Sequence, residues 1–129
     1  MAKFLVIDDD NTMRQLIVAT LENVGHRVTQ AATGQEGVAS FKQQPPDVVI
    51  TDIVMPDDSI EQVIALRQQH PAVPFIVVSG LSAQSARSVD VAKLLGARRT
   101  LPKPFRLPDL LGVTDEVLAE LEDRKKARR

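Results

Sequence analysis

Residues 4–13 read FLVIDDDNTM: four apolar residues run straight into three consecutive carboxylates, Asp8, Asp9 and Asp10. Phe4-Leu5-Val6-Ile7 shows no polar alternation and is bounded by charge, so it reads as a strand buried on both faces. Adjacent carboxylates repel, and carboxylates sharing one site raise the pKa of at least one of them. Three of them at the end of a buried strand call for something positive nearby. The same pattern recurs downstream. Val48-Val49-Ile50 ends at Thr51-Asp52, and Pro74-Phe75-Ile76-Val77-Val78 ends at Ser79-Gly80.

Segments of helical period lie between these runs. Met13, Leu16, Ile17, Leu21 and Val24 recur at spacings of three and four, with Gly25 where a C-terminal cap belongs. Arg27–Gln30 reads as a second strand. Thr33 and Glu36 fit a capping box for a helix whose Val38 and Phe41 face inward, and Pro45-Pro46 stops it. Ser59 with Gln62 suggests a further cap before Ile60, Val63 and Ile64. Val91, Leu94 and Leu95 mark a fourth helix, ended by Gly96. Arg99–Leu101 gives a short fifth strand, and Leu110, Leu111, Val117, Leu118 and Leu121 mark a last helix. Five strand–helix units, of which strands 1, 3 and 4 are continuous apolar runs, predict a parallel sheet with helices on both faces. Right-handed crossovers make it a doubly wound α/β sheet, with its ligand site beyond the carboxyl ends of the strands.

Bulk properties narrow the function classes. The chain has 129 residues, one ordinary domain, with 43% hydrophobic and 26% charged residues. A formal net charge of -1 gives no global field toward nucleic acid or membrane. No residue is cysteine, which removes disulfides, thiolate catalysis and thiolate metal sites and fits a reducing compartment. The first apolar run is too short for a signal peptide, and no stretch approaches a membrane span. The expected location is cytoplasmic, and the start at Met1 directly before the first strand fits a natural N-terminus.

The strand ends supply a chemical set. Asp8, Asp9 and Asp10 follow strand 1, Asp52 closes strand 3, Ser79 closes strand 4 and Lys103 follows strand 5. Clustered carboxylates suit a hard divalent cation, foremost Mg2+, which takes oxygen ligands and keeps waters for a phosphate. A carboxylate can also attack phosphorus, giving an aspartyl phosphate, with Ser79 and Lys103 on the phosphoryl oxygens.

Together, "LVIDDD", "ITDIVMP", "VVSG" and "LPKPF", in this order and spacing, resemble the receiver domain of two-component response regulators over about residues 3–122. The resemblance implies a (βα)5 flavodoxin-like, CheY-like sheet with strand order 2-1-3-4-5. It implies Asp52 as phosphoacceptor, Asp9 and Asp52 as direct Mg2+ ligands, and Asp8 as a ligand through water. The backbone carbonyl of Val54 becomes the remaining protein ligand, Ser79 the switch hydroxyl, and Lys103 the family lysine. Lys103-Pro104 matches a bond often cis in relatives, while Asp10 lies outside the motif and helps start the first helix. The implied function is a phosphorylation-activated switch. It receives its phosphoryl group from a histidine kinase or histidine phosphotransfer protein. It signals by protein contact through the face of the fourth helix, fifth strand and fifth helix. Neither membrane nor nucleic acid is expected as a partner, and enzymatic action is confined to the chain's own phosphorylation and dephosphorylation.

This sequence departs from the family pattern at four places. The stretch after Met55-Pro56, "DDSIE", is one residue short and lacks the usual glycine. Thr100 stands at the switch aromatic position. Val54 and Leu81, two beyond Asp52 and Ser79, are apolar where relatives flank the hydrolytic water, so the phosphorylated form is expected to be long-lived. Finally, residues 124–129 form a basic tail after a receiver domain at 1–123, fitting either a frayed helix end or a linker. Thr51 is expected to be structural, and His26 and His70 to be solvated. Two rival readings remain. Asp8-x-Asp10-x-Thr12 fits the first motif of haloacid-dehalogenase-type phosphatases, with Asp8 as nucleophile. The chain could also be a phosphorylation-independent binding module on a receiver fold.

Overall fold

The sheet follows from its apolar runs. The computed structural model describes residues 2–80 and 86–127, apart from the side chains at 57, 79 and 86–89. Its elements alternate: β1 (Lys3–Ile7), α1 (Asn11–Asn23), β2 (Arg27–Ala31), α2 (Gly34–Gln43), β3 (Val48–Asp52), α3 (Asp57–Gln69), β4 (Phe75–Ser79), α4 (Ala86–Leu94), β5 (Arg99–Pro102) and α5 (Leu107–Ala127). All neighbouring strands are parallel, in the order β2-β1-β3-β4-β5. This is the doubly wound, flavodoxin-like order expected from the sequence.

Successive strand residues point to opposite faces, which explains the unbroken apolar runs. Phe4, Val6, Ile50, Ile76 and Val78 pack with Ile17 and Leu21 of α1 and with Leu110 and Val117 of α5. Leu5, Ile7, Val49, Phe75 and Val77 pack on the other face with Phe41, Val63, Leu66 and Leu95. Fully burying each such side chain is worth roughly 1.5–3 kcal/mol. The register pairs Ile7 with Ala31 and Thr51, Asp52 with Val78, and Ser79 with Pro102, so the strand ends form one edge.

Some helix ends follow their local sequence signals, and others yield to tertiary contacts. Asp10 caps α1 by accepting the Thr12 and Met13 N–H groups at 3.0 and 3.2 Å. Gly25 follows that helix at φ 95°, a left-handed turn that glycine adopts without strain. Thr33 caps α2 through the Glu36 N–H at 3.1 Å, but Glu36 reaches back to the N–H of Ala32 rather than Thr33. The Ser59–Gln62 cap is wrong: α3 opens three residues earlier, at Asp57 with Pro56 as its N-cap, because the β3–α3 connection is short. Leu16 and Leu94 lie exposed on their helices, and Val24 is the exposed C-cap of α1. The histidines are not simply solvated. His26 Nδ1 accepts the Ala2 N–H at 3.2 Å and its ring packs on Phe4, while His70 packs on Phe41. Thr51 is buried and donates its hydroxyl to the Asp52 carbonyl at 2.9 Å. Helix α5 continues through 124–127, and Lys103-Pro104 is cis.

Ser59, freed from capping its own helix, accepts the Gly34 N–H at 3.1 Å and so ties the first turn of α2 to α3. A Cβ on Gly34 would lie 2.8 Å from the Ser59 Cα and 2.9 Å from its carbonyl carbon, both backbone atoms that cannot swing aside. Gly34→Ala should therefore destabilise the fold by about 1–3 kcal/mol, the usual range for overpacking, seen as a lower urea midpoint at unchanged slope.

Candidate functional site

At the carboxyl edge of the sheet the strand ends bring Asp8, Asp9 and Asp52 together. One carboxylate oxygen from each lies within 4.8 Å of the others. Asp8 and Asp52 are buried, and Asp9 is exposed at the rim. From the sequence the charge expected to offset these carboxylates is a divalent cation, with Lys103 on the phosphoryl oxygens; the structure sets Lys103, which follows β5, directly among them. Its Nζ stands 3.0 Å from Asp52 Oδ2 and 3.3 Å from Asp8 Oδ2. Asp52 Oδ1 accepts the Val54 N–H at 2.9 Å, so each carboxylate oxygen has a separate donor. Asp8 Oδ1 accepts the Asp10 N–H at 2.9 Å.

The electrostatics are those of charges held out of water. Burial pushes the Asp8 carboxyl above its ordinary range; the Asp10 N–H opposes this, the Asp52 charge adds to it, and Lys103 opposes it again. Burial alone would lower Lys103, yet its hydrogen bond and charge contact with Asp52, followed by those with Asp8, leave its pKa above the ordinary lysine value. Lys103 is thus a firmly charged counter-ion, and the ionised form of Asp8 depends on it. Three oxygen donors so close together also fit a hard divalent cation, which would supply the same compensation.

Most of the predicted set converges. Val54 is half-exposed in the loop after β3, and Asp10 is committed to capping α1. The Ser79 backbone ends β4 opposite Pro102, but its side chain lies outside the described residues, as does Leu81. Thr100 is exposed on β5. The sequence reading missed Arg14. Its Nη1 donates to the Asp8 carbonyl at 2.8 Å and its Nε to Gln30 Oε1 at 2.9 Å. Its signal was a cation one helical turn beyond the last aspartate.

A five-stranded doubly wound sheet with an acidic cluster and a lysine at its switch-point edge defines the CheY-like class of flavodoxin folds. The response regulator receiver domain family matches residues 4–115. Protein PilH of Pseudomonas aeruginosa is 37% identical over 124 residues, covering 92% of this chain and 99% of PilH. The KDP operon transcriptional regulatory protein KdpE of Escherichia coli is 39% identical over 112 residues, 85% of this chain but 48% of KdpE. A CheY-like receiver domain protein from Methanospirillum hungatei superposes with a TM-score of 0.86 at 28% identity, covering 96% of this chain and 98% of that one. The chain belongs to the response regulator receiver domain family, and it is a phosphorylation-activated switch of two-component signalling. Regulators of this family work with histidine kinases or phosphotransfer proteins, and receiver domains bind Mg2+ at an acidic pocket. Among the described residues no helix is long and apolar enough to cross a membrane.

Proposed function

We propose that Asp52 is the phosphoacceptor and that Asp8, Asp9, Asp52 and the Val54 carbonyl hold Mg2+ beside it. The observation that carries this is the setting of Asp52: buried, with one oxygen on the Val54 N–H and the other on Lys103, next to two further carboxylates. An Asp52 oxygen attacks the phosphorus of a phosphohistidine. The P–O bond forms as the P–N bond breaks, and the leaving imidazole takes up a proton. Bound Mg2+ would neutralise charge on the phosphoryl oxygens. Lys103 stabilises the same charge from the protein side, and Ser79 is assigned the remaining phosphoryl contact. The chain performs this transfer on itself, and water then hydrolyses the aspartyl phosphate, returning Asp52 and releasing inorganic phosphate, without turnover of a separate substrate.

The signalling state acts by contact with a target protein in the cytoplasm. We assign that contact to α4, β5 and α5. This face carries exposed Thr100 and Leu94 and a cleft of ≈ 420 Å³ lined by Leu101, Phe105, Pro108 and Val113. Residues 1–123 form the receiver unit, with 124–129 as a basic extension.

The test is to incubate the chain with acetyl phosphate and Mg2+ and follow intact mass. One phosphoryl group is expected, absent with EDTA and mapping to Asp52. Val54, 43% exposed beside the acceptor, offers water no polar group on its side chain. The adduct is therefore expected to persist for minutes or longer; a half-life of seconds would rule out this account of Val54.

A further inference from the structure

We infer that Arg14 is the positioning residue that sets Mg2+ affinity, by fixing the peptide that joins Asp8 to Asp9. This rests on the reading of the acidic cluster as the metal site. The planar Arg14 guanidinium makes three hydrogen bonds. Nη1 donates to the Asp8 carbonyl at 2.8 Å, Nε to Gln30 Oε1 at 2.9 Å, and Nη2 to Asn11 Oδ1. Gln30 lies on β2, paired with Val6 of β1, and Asn11 opens α1. One rigid fork therefore spans strand, loop and helix, a geometry that the single nitrogen of lysine does not reproduce.

The carbonyl it holds is decisive. It belongs to the peptide unit leading into Asp9, so its orientation sets where the Asp9 side chain departs from the backbone. The other polar groups of Asp8 are fixed separately: its N–H on the Ala31 carbonyl at 3.1 Å, Oδ1 on the Asp10 N–H, and Oδ2 on Lys103. Arg14 holds the remaining one, on the Asp9 side. Without it the peptide can rotate, and the exposed Asp9 carboxylate loses its fixed place beside Asp8 and Asp52. Arg14 itself touches neither the acceptor nor the metal oxygens; it acts through Asp8 and Asp9.

The experiment titrates unphosphorylated chain with Mg2+ and reads amide shifts, with no chemistry involved. Arg14→Met, which keeps the apolar stem, should weaken Mg2+ by about tenfold, as loss of groups supporting metal ligands typically does. Arg14→Lys should fall between it and wild type. Phosphorylation by acetyl phosphate should need correspondingly more Mg2+ yet approach the wild-type rate at saturation. If Arg14→Met does not fold, the double variant Asn11→Ala/Gln30→Ala removes the braces while keeping the arginine, and it too should bind Mg2+ more weakly. If wild type binds Mg2+ and accepts phosphate but the folded variants keep its Kd, the Arg14 inference is overturned alone. If wild type does neither, the site reading fails and Arg14 falls with it.

Discussion

Asp52→Asn is expected to take up no phosphoryl group from acetyl phosphate, at any Mg2+ concentration. An amide is not a nucleophile toward phosphorus, so the loss is complete rather than graded. The variant should fold, because the Asn carbonyl oxygen can still accept the Val54 N–H that Asp52 Oδ1 now holds. Asp8→Asn is the informative companion. It leaves the acceptor in place and removes one of the clustered carboxylates, so it should still be phosphorylated, more slowly and with more Mg2+. The reverse pattern, modification retained by Asp52→Asn and lost by Asp8→Asn, would install Asp8 as nucleophile and favour the haloacid-dehalogenase chemistry. Intact mass on the three proteins decides between them.

The fold was legible because its central strands, β1, β3 and β4, are buried on both faces. Leu5 and Ile7 serve one core and Phe4 and Val6 the other, so no polar residue interrupts the run. Strand ends could then be read directly, and with them Asp8, Asp9, Asp52 and Lys103, which only the topology brings together. What failed was set by tertiary contact. Ser59 has the composition of a helix cap, but a short β3–α3 connection starts α3 earlier, and its hydroxyl serves Gly34 instead. Leu16 and Leu94 obey helical spacing but sit off the buried stripe. His26 and His70 found partners in Ala2, Phe4 and Phe41 across the fold, at separations no local pattern encodes. Arg14 escaped notice for the same reason: its role depends on where β2 places Gln30 relative to Asp8.

Lys103→Met should destabilise the metal-free protein by about 2–3 kcal/mol. Removing one partner from a fully buried ion pair costs roughly 3–5 kcal/mol, and the Lys103 side chain is still 18% exposed against 2% and 6% for Asp8 and Asp52. The sign follows from the two shifts. Lys103 is raised, so its contribution is fully present below the ordinary lysine pKa and therefore intact at neutral pH. Asp8 is also raised, so its folded state favours the protonated acid, and that contribution is lost as pH climbs through the folded pKa. The ionised form of Asp8 is thus the unfavourable one, compensated by the lysine; without Lys103 it faces Asp52 uncompensated. Adding Asp8→Asn to Lys103→Met should recover much of the loss, a coupling that two independent sites would not show. Mg2+ should do the same by replacing the missing charge. At about a hundred times its Kd it adds about 2.7 kcal/mol, enough to return the variant near the metal-free wild type in urea unfolding. A Lys103→Met chain as stable as wild type without metal would mean that the carboxylates do not depend on the lysine, and the pocket's charge compensation would have to come from solvent.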